Sequence, residues 1–249
     1  MSRILLVTGG SRGIGAATCR LAAARGYDVA VNYVTDRAAA EAVAAECRAA
    51  GVRALVAQGD TSREAEVGRI LAAVDEGLGR LTHLVNNAGV TGRVGRLDET
   101  DPAVIRHCID VNVTGALLVA REAVKRMAPR HGGQGGAIVN VSSVAADLGS
   151  PGEYVWYAAS KGAVNAMTIG LARELAAENI RVNAVAPGLV ETEIHERSSA
   201  APERLARLAP MIPMGRAGRP EEIAETILYL LSDAASYVTG AVLRASGGR

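Results

Sequence analysis

Short apolar runs rich in Val and Ile recur along the chain at residues 4–7, 29–31, 54–56, 81–85, 137–141, 182–185 and 238–243. Between them lie longer Ala-, Glu-, Arg- and Leu-rich stretches with helical spacing, as at 16–25, 38–50 and 64–78. Strands that read as nearly continuous apolar runs are those buried on both faces. Strands alternating with helices imply βαβ units and a parallel sheet with right-handed crossovers. The pattern therefore predicts an α/β fold: a Rossmann-type doubly wound sheet of about seven parallel strands with six or seven helices on its two faces. No Pro/Ser-rich linker or charge block marks a boundary, so residues 1–249 are expected to form one dinucleotide-binding and catalytic domain.

Local signals place individual helices. Arg219-Pro220-Glu221-Glu222 puts proline and two acids at a helix start, where a missing donor and the helix dipole favour them. Ile223, Ile227, Leu228, Leu230 and Leu231 then supply its apolar face. Residues 191–218 differ, being polar, Arg- and Pro-rich and poorly periodic. A long segment of that kind inside a compact domain is usually functional, and 189–218 reads as a substrate-binding lid. A tolerated surface insertion is the bland alternative.

Composition narrows the function classes. The chain has 249 residues, 49% of them hydrophobic and 21% charged, enough apolar content to offset its ordering entropy by burial. A net charge of +1 supplies no field of one sign for nucleic acid or anionic lipid, so neither partner is expected. The three cysteines, Cys19, Cys47 and Cys108, are isolated and match neither a disulfide framework nor a metal site, as expected of a reducing compartment. The apolar run at 4–7 is too short for a signal-peptide core. Nowhere are there roughly 20 consecutive apolar residues, and a cytoplasmic protein is expected.

Three groups of residues carry chemistry. Thr8-Gly9-Gly10-Ser11-Arg12-Gly13-Ile14-Gly15 follows the first strand and opens the first helix, the context a dinucleotide fingerprint requires. Its spacing is Gly-x-x-x-Gly-x-Gly rather than the common Gly-x-Gly-x-x-Gly, and glycines also serve plain strand-to-helix turns. Tyr157 and Lys161, at i and i+4, share a helix face. With 25 arginines, two lysines and 6 tyrosines in the chain, chance predicts only about 0.05 such pairs. A chain that uses arginine nearly everywhere places a lysine one turn after a tyrosine. Ser142-Ser143, Asn86-Asn87-Ala88-Gly89 and Pro187-Gly188 each end a predicted strand, and ligands of open parallel sheets bind outside those carboxyl ends. Asn112 sits within a predicted helix, where asparagine is a poor former. Singly, each of these reads as a turn, a cap or a polar strand end; together they point to one edge of one sheet.

With these motifs in this order, the chain resembles the short-chain dehydrogenase/reductase family over its whole length. The resemblance implies that Tyr157 is the general acid/base, that Lys161 tunes it and reaches the ribose, that Ser143 holds the substrate oxygen, and that Asn112 supports a water-linked proton path. The chemistry is coherent. An ammonium about 4 Å from a phenol at an effective dielectric near 20 interacts by roughly 4 kcal/mol, enough to bring an ordinarily alkaline phenol toward neutrality. Ser143 lies 14 residues before Tyr157 where many family members have 13, with Gly149-Ser150-Pro151-Gly152 as the inserted loop. Ser142 competes for the same role, but the second serine fits better. The resemblance further implies that Asp60 and Thr61 border the adenine, that Asn87, Ala88 and Gly89 line the ribose side, that Val190 and Thr192 contact the carboxamide, and that the chain is a homotetramer. Leu148 and Trp156 are candidates for an apolar substrate wall, and Glu153, His195 and Arg197 for polar contacts.

The cofactor follows from the second strand. It ends Val31-Asn32-Tyr33, without the acid that binds a ribose 2′-hydroxyl, and Arg12 stands in the glycine turn where a guanidinium can grip a 2′-phosphate. Asp36 lies near the spacing for that acid but reads as the N-cap of the next helix. An NADP(H)-dependent oxidoreductase acting on a small carbonyl/alcohol pair is the leading reading. The alternative cofactor is NAD(H), as in an NAD-dependent sugar or polyol dehydrogenase of the family, and a third reading is a nicotinamide-binding sensor or assembly subunit without turnover. The Michaelis constant for NADPH is expected to be far below that for NADH; steady-state assays showing equal efficiency with both would refute the role given to Arg12.

Overall fold

In a computed structural model, residues 3–192 and 209–249 are described. Seven parallel strands form one sheet: β1 (Arg3–Val7), β2 (Tyr27–Tyr33), β3 (Ala54–Gln58), β4 (His83–Asn86), β5 (Gly136–Val141), β6 (Ile180–Pro187) and β7 (Val242–Ala245), in the order β3-β2-β1-β4-β5-β6-β7. The order reverses at β1, so β1 and β4 diverge into opposite halves and open a crevice at their carboxyl ends. Helices α1 (Gly13–Ala24), α2 (Arg37–Ala49), α3 (Glu64–Gly77), α4 (Pro102–Ile109), α5 (Ala116–Met127), α6 (Ala145–Leu148), α7 (Val155–Leu175) and α8 (Pro220–Leu231) connect the strands.

The apolar runs are explained by the two faces they serve. Leu5 and Val7 pack with apolar residues of α1, α2 and α8, while the alternate residues Ile4 and Leu6 pack with those of α3, α5 and α7. Every β1 position except the first is therefore buried. Helix α8 starts at the expected proline, and the Glu222 carboxylate accepts the Arg219 N–H at 2.7 Å. Asp36 caps α2 as read, its Oδ1 accepting from Ala39 N at 3.0 Å.

Two elements depart from the pattern. The last strand forms at Val242–Ala245 rather than over 238–243, because Gly240 takes φ +78° and the Asn183 side chain bonds Val238 O and Ala241 N, holding 238–241 out of the strand ladder. Helices α4 and α5 are joined by a π-helical turn, Asp110–Gly115, into one run with Asn112 at the bulge. An 18-residue window within this run, Pro102–Met127, is by length and composition apolar enough to cross a membrane. Val119, Ala123, Val124 and Met127 of the run pack on the sheet. All three cysteines are buried and unpaired, and no group of His, Cys, Asp and Glu suited to a metal occurs among the described residues.

Leu84 of β4 is fully buried beneath the crevice. Leu84→Ala is expected to destabilise the fold by about 3–5 kcal/mol, read as a lower urea midpoint with an unchanged slope.

Candidate active site

A cleft of about 1120 Å³ opens along the carboxyl edge of the sheet, lined from Gly9 and Asp36 at one end to Leu148 and Tyr154 at the other. At the first end, β1 passes into α1 through the glycine turn. Gly9 and Gly13 take positive φ of 61° and 52°, which a side chain would strain. A Cβ on Gly15 would lie 2.4 Å from Gly9 O, so the turn closes only around a hydrogen at that position. The first turn of α1 has no side-chain cap and no acidic residue, leaving its N-terminal dipole and N–H groups for an anion.

Two asparagine amides, Asn32 buried and Asn87 half-buried, brace this turn. Asn32 Oδ1 accepts from Gly9 N at 3.1 Å, and its Nδ2 donates to Ala57 O and Gly59 O at 3.0 Å each. Asn87 Nδ2 donates to Thr8 O and Gly9 O, while Thr8 Oγ1 accepts the N–H groups of Asn87 and Ala88. Asn32, Asn87, Ala88 and Gly89 all line the cleft, but the two amide side chains are spent on the backbone. Ser11, Arg12, Ile14, Tyr33, Asp60, Thr61, Pro187, Gly188, Val190 and Thr192 line it as well. Gly15 does not; it lies behind the turn, packed on Gly9.

Ser143, Tyr157 and Lys161 meet at the centre of the cleft. Ser142 is buried and its hydroxyl donates to Asn165 Oδ1 at 2.6 Å, whereas Ser143 follows at the strand end with its Oγ accepting from Ala145 N at 3.1 Å. That difference favours Ser143 for a substrate oxygen. Lys161 is 4% exposed; its Nζ lies 5.6 Å from the Tyr157 ring centroid and donates to Val141 O at 2.7 Å. Asn112 is not brought into the cleft. Its Oδ1 accepts from Val90 N at 2.8 Å and its Nδ2 donates to Val90 O and Ser160 Oγ at 2.9 Å each, so its side chain holds the 89–93 loop against α7.

The match with known proteins is nearly complete in length. The family model described as enoyl-(acyl carrier protein) reductase matches residues 9–249. An uncharacterized oxidoreductase of Escherichia coli, YgfF, is 51% identical over 99% of both chains, and a 3-oxoacyl-[acyl-carrier-protein] reductase of Synechocystis is 38% identical over 99% of this chain and 96% of its own. A solved short-chain type dehydrogenase/reductase from Mycobacterium marinum superposes with a TM-score of 0.92 at 35% identity, covering 99% of this chain and 94% of that one. The chain belongs to the short-chain dehydrogenase/reductase family. It is an oxidoreductase of alcohol and carbonyl groups, from a family that binds NAD(P) and small-molecule substrates.

Within this family member the far end of the cleft is lined by residues the sequence pattern did not single out, among them Val90, Arg93, Val104, His107 and Met211. Leu148 and Glu153 line it as expected. Trp156 does not; it is buried, and its Nε1 donates to Thr91 O at 2.7 Å, propping the loop from behind. His195, Arg197 and residues 193–208 of the expected lid lie outside the described residues, while the ends of that segment meet in a bridge between Val190 and Gly218. Only the fold could reveal these neighbours, because they come from three separate segments: the loop after β4, helix α4 and the short turn at Met211.

Burial pushes the Lys161 ammonium down to about 8, since taking it out of water disfavours its charged form. Between that value and the ordinary lysine range the unfolded chain holds a proton that the folded chain has lost, so this residue makes stability rise with pH in that window. Lys161→Met is expected to flatten that rise, measured as the change in urea midpoint between pH 7.5 and 9.5 relative to wild type.

Proposed function

We propose that the chain is an NADP(H)-dependent oxidoreductase that interconverts a carbonyl compound and its alcohol, with Tyr157 as general acid/base. The observation that carries this reading is the convergence of Tyr157, Lys161 and Ser143 in one cleft with the glycine turn. The turn fits a dinucleotide: an uncapped helix start, and glycines at which a side chain would fill the cradle. The residues to hold it are Gly9, Ser11, Arg12, Gly13 and Ile14 at the phosphates, Asp60 and Thr61 at the adenine, Ala88 and Gly89 at the ribose, and Pro187, Gly188, Val190 and Thr192 at the nicotinamide, with Arg12 on a 2′-phosphate. When bound, the reduced nicotinamide supplies a hydride to the carbonyl carbon.

The chain's own residues handle the oxygen. Ser143 Oγ donates to it and stabilises the developing alkoxide. Tyr157 gives its phenolic proton to the same oxygen, and the nearby Lys161 ammonium stabilises the phenolate left behind. In alcohol oxidation the proton returns to the phenolate. Asn112 acts by shaping the loop that faces these groups, and its proton-path role would run through its backbone rather than its committed side chain.

The whole chain as one catalytic domain, with residues 189–218 as its substrate-binding lid, belongs to this proposal. So does a cytoplasmic homotetramer, supported by the exposed apolar side chains of Leu117, Ile169, Tyr229, Tyr237 and Leu243, which a partner subunit would cover.

A panel of carbonyl compounds, including a 3-oxoacyl thioester and cyclic ketones, assayed by loss of NADPH absorbance, is expected to yield a substrate. With it, Tyr157→Phe should lower kcat by at least about a thousandfold while NADP+ binding by calorimetry changes less than about twofold. Full activity in that variant would remove Tyr157 from the role.

A further inference from the structure

Arg12 and Asp36 meet at the nucleotide end of the cleft, which both line. Arg12 Nη2 donates to Asp36 Oδ2 at 2.8 Å, with the side chains 28% and 45% exposed. The same carboxylate caps α2 through its other oxygen, so it cannot swing aside without uncapping that helix. Among the described residues, the uncharged Asn32, Tyr33, Val34 and Thr35 line the same end of the cleft. Asp60 also lines the cleft toward this end; its carboxylate accepts from Ser62 Oγ at 2.7 Å and is approached by Arg63 at 3.6 Å.

We propose that Asp36 is a selectivity-setting residue: it holds the Arg12 guanidinium against a 2′-phosphate and offers an acceptor to a 2′-hydroxyl, narrowing the preference for NADP(H) over NAD(H). The inference rests on the reading of Arg12 as the 2′-phosphate ligand. A phosphate reaching this guanidinium approaches a fixed carboxylate already bonded to it, so two like charges come within a few ångströms at a half-exposed site. One branch of the guanidinium fork is also occupied, which removes part of its bidentate capacity. A neutral 2′-hydroxyl meets neither penalty and can donate to the carboxylate, the role acids near this spacing serve in dinucleotide folds. Residue 36 thus acts on both nucleotides in opposite senses.

The test needs no substrate. NADP+ and NAD+ are titrated calorimetrically into the full-length chain and three variants: Asp36→Asn and Asp36→Ser, which both retain a cap-competent side chain, and Arg12→Gln. For the two Asp36 variants the Kd for NADP+ is expected to fall about three- to tenfold, while that for NAD+ stays level or rises up to about threefold. Arg12→Gln should weaken NADP+ by about tenfold or more, and in the Asp36→Asn/Arg12→Gln double variant the gain from Asp36→Asn should disappear. Melting temperatures within about 2 °C of wild type for either Asp36 variant establish that the cap survives. If Arg12→Gln weakens NADP+ but both Asp36 variants leave the NADP+/NAD+ ratio unchanged, the inference is overturned and the cofactor reading stands. If Arg12→Gln leaves NADP+ binding unchanged, the cofactor reading of Arg12 fails and takes the inference with it.

Discussion

A parallel sheet whose strands all end along one edge must satisfy the backbone groups of the loops that leave that edge, and here asparagine amides do so after β1 and β4. An amide side chain carries a donor and an acceptor, so one residue can close a loop in both directions. Asn32 and Asn87 hold the glycine turn and Asn112 holds Val90 through both its N–H and its C=O, while at the opposite edge Asn183 holds the stretch that enters β7. Asn86 Nδ2 donates to Asn140 Oδ1 and Asn140 Nδ2 to Thr168 Oγ1, carrying the same device from β4 through β5 into α7. An unpaired buried polar group costs about 1–3 kcal/mol, so these contacts select one loop geometry over its neighbours.

The reactive groups inherit their position from that network. Helix α7 brings Tyr157 and Lys161 to the cleft because its inner face is tied down at several points: Ser160 to Asn112, Lys161 to Val141 O, Asn165 to Ser142, and Thr168 to Asn140. The cost of this anchoring is a buried lysine. Among the described residues no carboxylate compensates its charge, and burial moves its titration toward neutrality. A lysine in that condition is electrostatically active: the less water surrounds its ammonium, the more strongly it interacts with a charge that develops on the nearby phenol.

Much of the fold and the centre of the site could be read from the residues alone. The strands were legible because doubly buried strands are apolar throughout, and the pair Tyr157 and Lys161 because lysine is so rare in this chain. The last strand was displaced because Val238 and Val242 carry the same apolar signal, and only the Asn183 side chain, more than fifty residues away in sequence, decides where pairing begins. Asn112 was legible as unusual, yet not as a loop clamp, since its partners Val90 and Ser160 lie 22 and 48 positions away. Arg12 and Asp36 were each assigned a separate task, and nothing in a linear chain shows that they share an ion pair.

The two ends of the cleft differ in how strongly physics constrains them, and this explains why chemistry is more readable than substrate. Hydride and proton transfer require a phenol, a cation and a hydroxyl within tight distance limits, so the residue types, their spacing and the helix that carries them are restricted together. The substrate wall requires only that side chains of suitable shape reach the same space. Val104 and His107 come from α4, Leu148 from α6, Arg93 from the loop propped by Trp156, and Met211 from the segment whose ends meet at the bridge between Val190 and Gly218. Each can change without disturbing the amides that hold the reacting centre, because none of those amides bonds to their side chains. A scaffold braced in this way keeps its chemistry while its substrate surface varies, and in such a scaffold the reacting residues are the ones a sequence can disclose.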